Sequence, residues 1–123
     1  MIDTQHLPGF DEWIWLPDAA EIMGVRGRDV RAMIRDHQLV AVRHGENNAL
    51  AITGGQLVAK DGAIVPLPAL RGTLIQLIDA GYSEEEAFQW LTTLNESLGV
   101  TPLAGLRGEK THAVRREIQF LAF

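Results

Sequence analysis

The segment from Leu16 to Arg43 constrains the fold most, because its small, apolar and basic residues recur at helical spacing. Ala19 and Ala20 provide a small surface on which two helices can cross closely, and Gly24 follows where the chain would have to turn. Three apolar residues then recur at helical spacing and would point inward: Val30, Met33 and Ile34. The pattern predicts two short helices joined by a tight turn, which is a helix-turn-helix.

The opposite side of the second predicted helix, residues 27–36, is basic. Arg28, Arg31 and Arg35 are spaced i, i+3 and i+7 and therefore share one face, and Arg26 lies in the turn just before them. A guanidinium can donate a bidentate pair of hydrogen bonds to guanine O6 and N7, or fork onto a phosphate. This face therefore predicts contact with double-stranded DNA. The alternative is an ordinary amphipathic helical hairpin whose arginines are simply solvated.

A β-hairpin is predicted directly after these helices. Residues 39–43 and 50–53 have strand character, and residues 44–48 between them favour a turn. A helix-turn-helix followed by a hairpin is a winged helix, with its wing at residues 39–53. The tip could reach a neighbouring DNA backbone or minor groove through Arg43, His44, Asn47 and Asn48. A purely structural turn would also favour the glycine and asparagines found there.

The charge distribution supports this interpretation, although the whole chain has a net charge of −5 and a pI near 5.3. Residues 1–25 carry five acidic side chains and neither lysine nor arginine, whereas residues 26–44 carry five arginines against two aspartates. Positive charge is thus concentrated where DNA contact is predicted. We expect binding that depends on sequence or shape, with modest affinity for random DNA.

Composition excludes several other classes of protein. The chain has no cysteine, so disulfides, thiolate metal sites and a cysteine nucleophile are excluded. No apolar run approaches the roughly 20 residues of a membrane span and no leader pattern is present, so we expect a cytoplasmic protein. No glycine-rich phosphate loop follows a predicted strand, and the histidines lack metal-ligand spacing. We therefore expect no enzymatic activity, cofactor or metal. The histidines are His6, His37, His44 and His112.

The regions on either side of the helix-turn-helix have simpler signals. Residues 1–11 lack periodicity and contain Pro8-Gly9, which predicts a flexible arm. Trp13 and Trp15 lie in a predicted strand that could pair with the wing, and their rings favour packing over base stacking. Asp61-Gly62 predicts a second hairpin.

The C-terminal half is predicted to be helical. A helix over residues 70–80 ends at Gly81, and Ser83 with Glu86 forms a capping box that begins the next helix. Thr101-Pro102 begins a short third helix, and residues 110–121 form the last. The predicted fold is mainly α with a small β-wing: a winged helix-turn-helix domain at residues 12–66, followed by a C-terminal helical bundle at residues 67–123.

The chain from about Glu12 to Phe123 resembles a small actinobacterial family of winged helix-turn-helix DNA-binding proteins, of mycobacterial and corynebacterial type. The resemblance rests on the motifs LPDAAEIMGV, RDHQLVAVR, RGTLIQLIDAGYSEEEAFQWL and VRREIQFLAF. It implies DNA binding by the second helix and the wing, with a helical C-terminal domain packed behind. From the arginine-rich helix and the wing, we expect a role in transcription regulation. The chain departs from the family at residues 49–65, where Thr53-Gly54-Gly55 replaces a proline-containing strand.

The segment from Trp90 to Val114 also resembles the toxin-binding domain at the end of some bacterial antitoxins. This likeness implies an alternative function, in which the C-terminal helices bind a partner protein. A homodimer formed through the same helices is a further possibility. Exposure of Trp90 or Leu98 would favour the partner-binding alternative.

Overall fold

A computed structural model describes residues 7–121 and contains, within them, six α-helices and five β-strands. In chain order these are β1 (Trp13–Trp15), α1 (Leu16–Met23), α2 (Gly27–Arg35), β2 (Val42–His44), β3 (Ala49–Thr53), β4 (Leu57–Lys60), β5 (Ala63–Pro66), α3 (Leu70–Asp79), α4 (Glu84–Thr92), α5 (Pro102–Arg107) and α6 (Thr111–Gln119). A short 3₁₀ turn, Gly54–Gln56, joins β3 to β4. The strands form two small antiparallel sheets and are not confined to the wing.

The first sheet has the strand order β1-β3-β2 and lies between the two halves of the chain. Ile14 pairs with Ile52, and Arg43 pairs with Leu50, so the predicted pairing of the first strand with the wing is confirmed. Successive residues of a strand point to opposite faces. Ile14 and Ile52 accordingly pack with the helix-turn-helix, whereas Trp13 packs with the C-terminal helices.

The helix-turn-helix has its own core beneath α1 and α2. Val30 is fully buried, while Met33 and Ile34, expected to point inward, are half-buried against the same cluster. Leu57 and Ile64 belong to this core, so the β4-β5 hairpin packs with the helix-turn-helix. The buried members are Ile14, Ala19, Ala20, Met23, Val30, Leu39, Ala41, Ile52, Leu57 and Ile64.

The turn between α1 and α2 forms as the sequence predicts. Gly24 ends α1 with φ 69°, a left-handed conformation that glycine adopts without a Cβ clash. At the start of α2, the Asp29 carboxylate accepts a hydrogen bond of 2.9 Å from the backbone N–H of Arg26. Both ends of the turn are therefore fixed locally.

The C-terminal helices α3 to α6 enclose a second core. The predicted capping box of α4 is present, and the Thr101 hydroxyl accepts from the Ala104 backbone N–H at the start of α5. The buried members of this core are Val40, Leu67, Leu70, Leu74, Leu77, Ala87, Phe88, Leu91, Leu98, Leu103, Leu106, Val114 and Ile118. Val40 comes from the chain leading into the wing, so this core extends to the sheet.

Residues 9–12 are held against the 3₁₀ turn, where the sequence predicted an arm flexible as far as residue 11. The backbone N–H of Gly54 donates to Glu12, and that of Gly55 donates to Phe10, each at 2.8 Å. A Cβ at Gly54 would collide with the Gly9 carbonyl. The two glycines thus allow the N-terminal segment to approach this closely. Leu7 packs against the helix-turn-helix core, and residues 1–6 of the predicted arm lie outside the described residues.

Candidate nucleic-acid interface

The four arginines predicted for the second helix are all exposed, and we call Arg26, Arg28, Arg31 and Arg35 the arginine face. Three of them lie on α2, and Arg26 is its N-cap residue. Val30 on the opposite side of α2 is fully buried. Because that side is fixed in the core, the arginines are directed to solvent.

The arginine face carries uncompensated positive charge within the described part of the chain. The one close contact between a basic side chain and a carboxylate among residues 7–121 joins His37 Nδ1 to Glu84 Oε1 at 4.0 Å, just past the C-terminal end of α2. The carboxylate of Asp29, the acidic residue within α2, accepts from the backbone instead. Exposed guanidiniums that have no carboxylate partner attract an anionic ligand such as a phosphate backbone.

An open groove of about 270 Å³ lies beside Arg31. It is lined by Leu16, Pro17, Ala20, Gly27 and Arg31. The groove arises where α1 and α2 cross, so the surface next to the arginines is concave and mainly apolar. Sequence spacing identified Ala20 as a crossing residue but carried no signal for the groove itself.

The wing is the β2-β3 hairpin with a turn at residues 45–48. Arg43 and Asn47 are exposed, and Asn48 is exposed with φ 52°. The Arg43 guanidinium donates a hydrogen bond of 3.1 Å to the Asn48 carbonyl oxygen, which ties the turn to β2. Arg43 therefore has a structural contact in addition to its predicted contact with DNA.

His44 is the site residue whose surroundings differ most from those of the others. Its ring is half-buried and stacks on Trp13, with 3.7 Å between ring centroids and 10° between planes. The Trp15 ring lies 5.9 Å away. The predicted packing role of these tryptophans is confirmed, and the partner they share is a residue of the wing.

Three polar side chains that the sequence analysis did not single out form hydrogen bonds to the backbone of the helix-turn-helix half. Gln56 is buried and both donates to and accepts from the backbone of Val40, at 2.9 Å each. Arg71 Nε donates to the Asp36 carbonyl at 3.0 Å, and Arg107 donates to the carbonyls of Gly55 and Leu57. Their carbonyl partners lie far away in the sequence, so residue spacing carries no signal for them.

Residues 7–121 contain no group of three or more histidine or acidic side chains that could hold a metal ion. No helix within that range has both the length and the apolar character to cross a membrane.

Comparison with known proteins agrees with this arrangement. The family model described as "DNA-binding protein Rv2175c, wHTH domain" matches residues 3–50, and "Rv2175c C-terminal domain of unknown function" matches residues 67–122. DNA-binding protein Rv2175c of Mycobacterium tuberculosis is 30% identical over 125 residues, covering 88% of this chain and 79% of that protein. The NMR structure of Rv2175c is similar with a TM-score of 0.77 and 27% identity, over 96% of this chain and 86% of that one.

The fold and the arginine face define a winged helix-turn-helix protein with a helical C-terminal domain. More particularly, the chain belongs to the Rv2175c family of actinobacterial winged helix-turn-helix proteins. The resemblance drawn from its motifs is thereby confirmed.

The antitoxin-like alternative is not favoured. The C-terminal residues match the domain of this same family. Leu98 is buried in the C-terminal core, and Trp90 is half-buried against it. The exposure that would have favoured a partner protein is absent at Leu98 and incomplete at Trp90.

Proposed function

We propose that the protein binds double-stranded DNA, with α2 in the major groove and the wing on the flanking backbone or minor groove. The arginine face carries the proposal, because it combines exposure, one-sided placement on α2 and the lack of a carboxylate partner within residues 7–121. The name of the M. tuberculosis relative, a DNA-binding protein, supports the same conclusion.

The four arginines have different proposed roles. Arg28 and Arg31 lie in the N-terminal half of α2, the part of a recognition helix that usually enters the groove most deeply. We assign them to guanine O6 and N7. Arg35 at the end of α2 and Arg26 at its start are assigned to phosphates, which fix the orientation of the helix.

The wing supplies the second contact in this proposal. Arg43 keeps further N–H donors besides the one bonded to Asn48, because a guanidinium has five. Asn47 and Asn48 are exposed at the turn and are assigned to the flanking backbone. His44 was predicted to contact DNA, but its ring faces the tryptophans, so we assign it a supporting role instead.

A fluorescence-anisotropy titration of a random-sequence duplex pool at two salt concentrations tests DNA binding. The wild type is compared with Arg28→Ala/Arg31→Ala and with Lys60→Ala/Arg116→Ala, which removes the same charge from exposed positions elsewhere. Salt-sensitive binding that the first variant loses and the control keeps is the expected result. Equal losses of affinity in both variants would show that binding depends only on net charge and not on the arginine face. If the folded wild type bound no DNA at low salt, the proposal would be refuted.

We further propose that DNA binding serves transcription regulation. A single winged helix covers a short site, so a homodimer through the C-terminal helices stays a prediction, with half-sites about one helical turn apart. The sequence of a duplex selected from the pool shows whether half-sites occur at this spacing, and sedimentation of its complex shows whether two protein chains bind. A reporter gene that is unaffected by the selected site would contradict the regulatory role.

A further inference from the structure

We propose that the C-terminal helical domain positions the wing for DNA, through three aromatic rings that run from Phe88 across Trp13 to His44. We call these rings the ring stack. The inference rests on the proposed function, and it gives a role to a domain whose family description states none.

The ring stack links the C-terminal core to the wing through two successive ring contacts. Phe88 on α4 is 7% exposed, and its ring centroid lies 5.5 Å from that of Trp13 on β1. Trp13 in turn stacks on His44 at 3.7 Å with nearly parallel planes. His44 is the last residue of β2 and directly precedes the wing turn. A displacement of α4 is therefore transmitted to the base of that turn by direct contact.

The sheet leaves room for this contact on the face that meets the C-terminal domain. In antiparallel register, Trp15 is opposite Ala51, and His44 is opposite Ala49. Residues at alternate positions share a face, so the two alanines of the middle strand lie on the same face as the large rings. Their small side chains allow rings from β1 and β2 to meet across β3.

The backbone alone holds the wing weakly. β2 has three residues and pairs with β3 as its one partner among the described strands, so it is an edge strand. The Arg43 bond to Asn48 lies within the hairpin and does not fix its direction. The direction of the turn therefore depends on side chains that reach it from outside the hairpin.

Trp15 adds a second contact at the same place. Gly45 begins the wing turn with φ 77°, and a Cβ there would lie 3.0 Å from Trp15 Cη2. The indole thus fills the space beneath the turn. Together, the two tryptophans enclose His44 and support Gly45, while Phe88 supports Trp13 from the C-terminal side.

The first test measures the coupling without DNA. Phe88→Leu removes the outer ring but keeps an apolar side chain, and Ile118→Val is the control in the same core, on α6. The ring protons of His44 are observed by NMR, since stacking on Trp13 shifts them strongly. We expect Phe88→Leu to move the His44, Asn47 and Asn48 resonances, and Ile118→Val to leave them in place. Equal or absent shifts in the two folded variants would overturn the inference.

The second test asks whether the coupling acts through the wing on DNA. A double-mutant cycle combines Phe88→Leu with Asn47→Ala, which removes a proposed wing contact. We expect Phe88→Leu to weaken DNA binding about fivefold in the wild-type background and less than about twofold with Asn47→Ala. Independent effects, or unchanged affinity despite moved His44 resonances, would overturn the positioning role. A wild type that binds no DNA would instead refute the proposed function, and that outcome is visible before any variant is measured.

Discussion

At the residue scale, two sets of arginines in this chain differ in their surroundings. Those of the arginine face are exposed and have no carboxylate partner among residues 7–121. Arg71 and Arg107 instead donate to backbone carbonyls of the helix-turn-helix half. The first group is free to change partners when an anion arrives, whereas the second group already satisfies carbonyl oxygens. Substitutions in the two groups should therefore affect different properties.

Arg31→Ala should cost about 1–3 kcal/mol of DNA-binding free energy and relax the preference at one base pair, because a bidentate contact to guanine is lost. Arg35→Ala, which removes a proposed phosphate contact, should weaken all sequences alike. Selection of bound duplexes from a randomised pool by each variant checks the difference. If Arg31→Ala selected the same sequences as the wild type, its assignment to a base would be wrong.

Gly54→Ala should lower the free energy of unfolding by about 1–3 kcal/mol, since the new methyl group would collide with the Gly9 carbonyl. Gly27→Ala is the control: nothing lies within 4 Å of a Cβ there, and alanine favours the helix. Urea unfolding of both variants is the measurement. Equal midpoints for Gly54→Ala and the wild type would show that the N-terminal segment does not pack as described.

At the element scale, the helices with distinct start signals form where the sequence predicts them. The capping box of α4 has both of its hydrogen bonds, from Ser83 N–H to Glu86 Oε1 at 2.9 Å and from Glu86 N–H to Ser83 Oγ at 3.1 Å. α6 lacks a side-chain cap, and it is shorter than predicted, ending at Gln119. The start of α4 is better predicted by the sequence than the ends of α6, because a capping box marks it.

Ser83→Ala should destabilise the protein by about 1 kcal/mol, because the Glu86 N–H loses its acceptor. Ser83→Asp, which supplies another capping acceptor, is the matched control and should stay close to the wild type. Urea denaturation followed by circular dichroism measures both. A loss of similar size in Ser83→Asp would contradict capping as the cause.

The same capping box predicts a dependence of stability on pH. Hydrogen bonds from the Ser83 backbone N–H and hydroxyl hold the pKa of Glu86 below its ordinary value. The stabilisation by Glu86 is therefore present above its unfolded-state pKa and is lost as pH falls through the lower folded-state pKa. Glu86→Gln should remove this part of the acid dependence in urea midpoints measured from about pH 6 to about pH 3. An identical pH profile in Glu86→Gln would contradict the prediction.

At the scale of the whole molecule, the three-stranded sheet has the helix-turn-helix on one face and the C-terminal helices on the other. Trp13 and Phe88 meet across this boundary, and Arg107 adds hydrogen bonds of 3.1 Å and 2.6 Å to the carbonyls of Gly55 and Leu57. The two halves are therefore packed against each other through aromatic contacts and through hydrogen bonds from an arginine. Their stabilities should be coupled.

Arg107→Met should lower the free energy of unfolding by about 1 kcal/mol, because two carbonyl oxygens lose their donor. Arg116→Met, at an exposed position on α6, should change it by less than about 0.5 kcal/mol. Both halves should unfold in one transition, as monitored by tryptophan fluorescence and circular dichroism. Separate transitions in the wild type would contradict the coupling.

The sequence predicted the parts of this molecule that depend on local spacing. The i, i+3, i+7 arginines, the turn at Gly24 and the Ser83 capping box each involve residues within two helical turns of one another. Side-chain contacts between distant residues were missed for the same physical reason, although the pairing of β1 with the wing was predicted. Arg107 bonds to a carbonyl 52 positions away, and the His44 ring meets Trp13 only because β3 pairs with both neighbouring strands. Local residue spacing does not predict such contacts.

The most direct test of the central claim is a dimethyl sulfate protection experiment on a selected duplex, which reports the exposure of guanine N7 in the major groove. With α2 in that groove, the wild type should protect guanine N7 atoms at the site, and Arg31→Ala should lose protection at one guanine while keeping the others. Full N7 reactivity in a saturated complex would show that the arginine face does not enter the major groove.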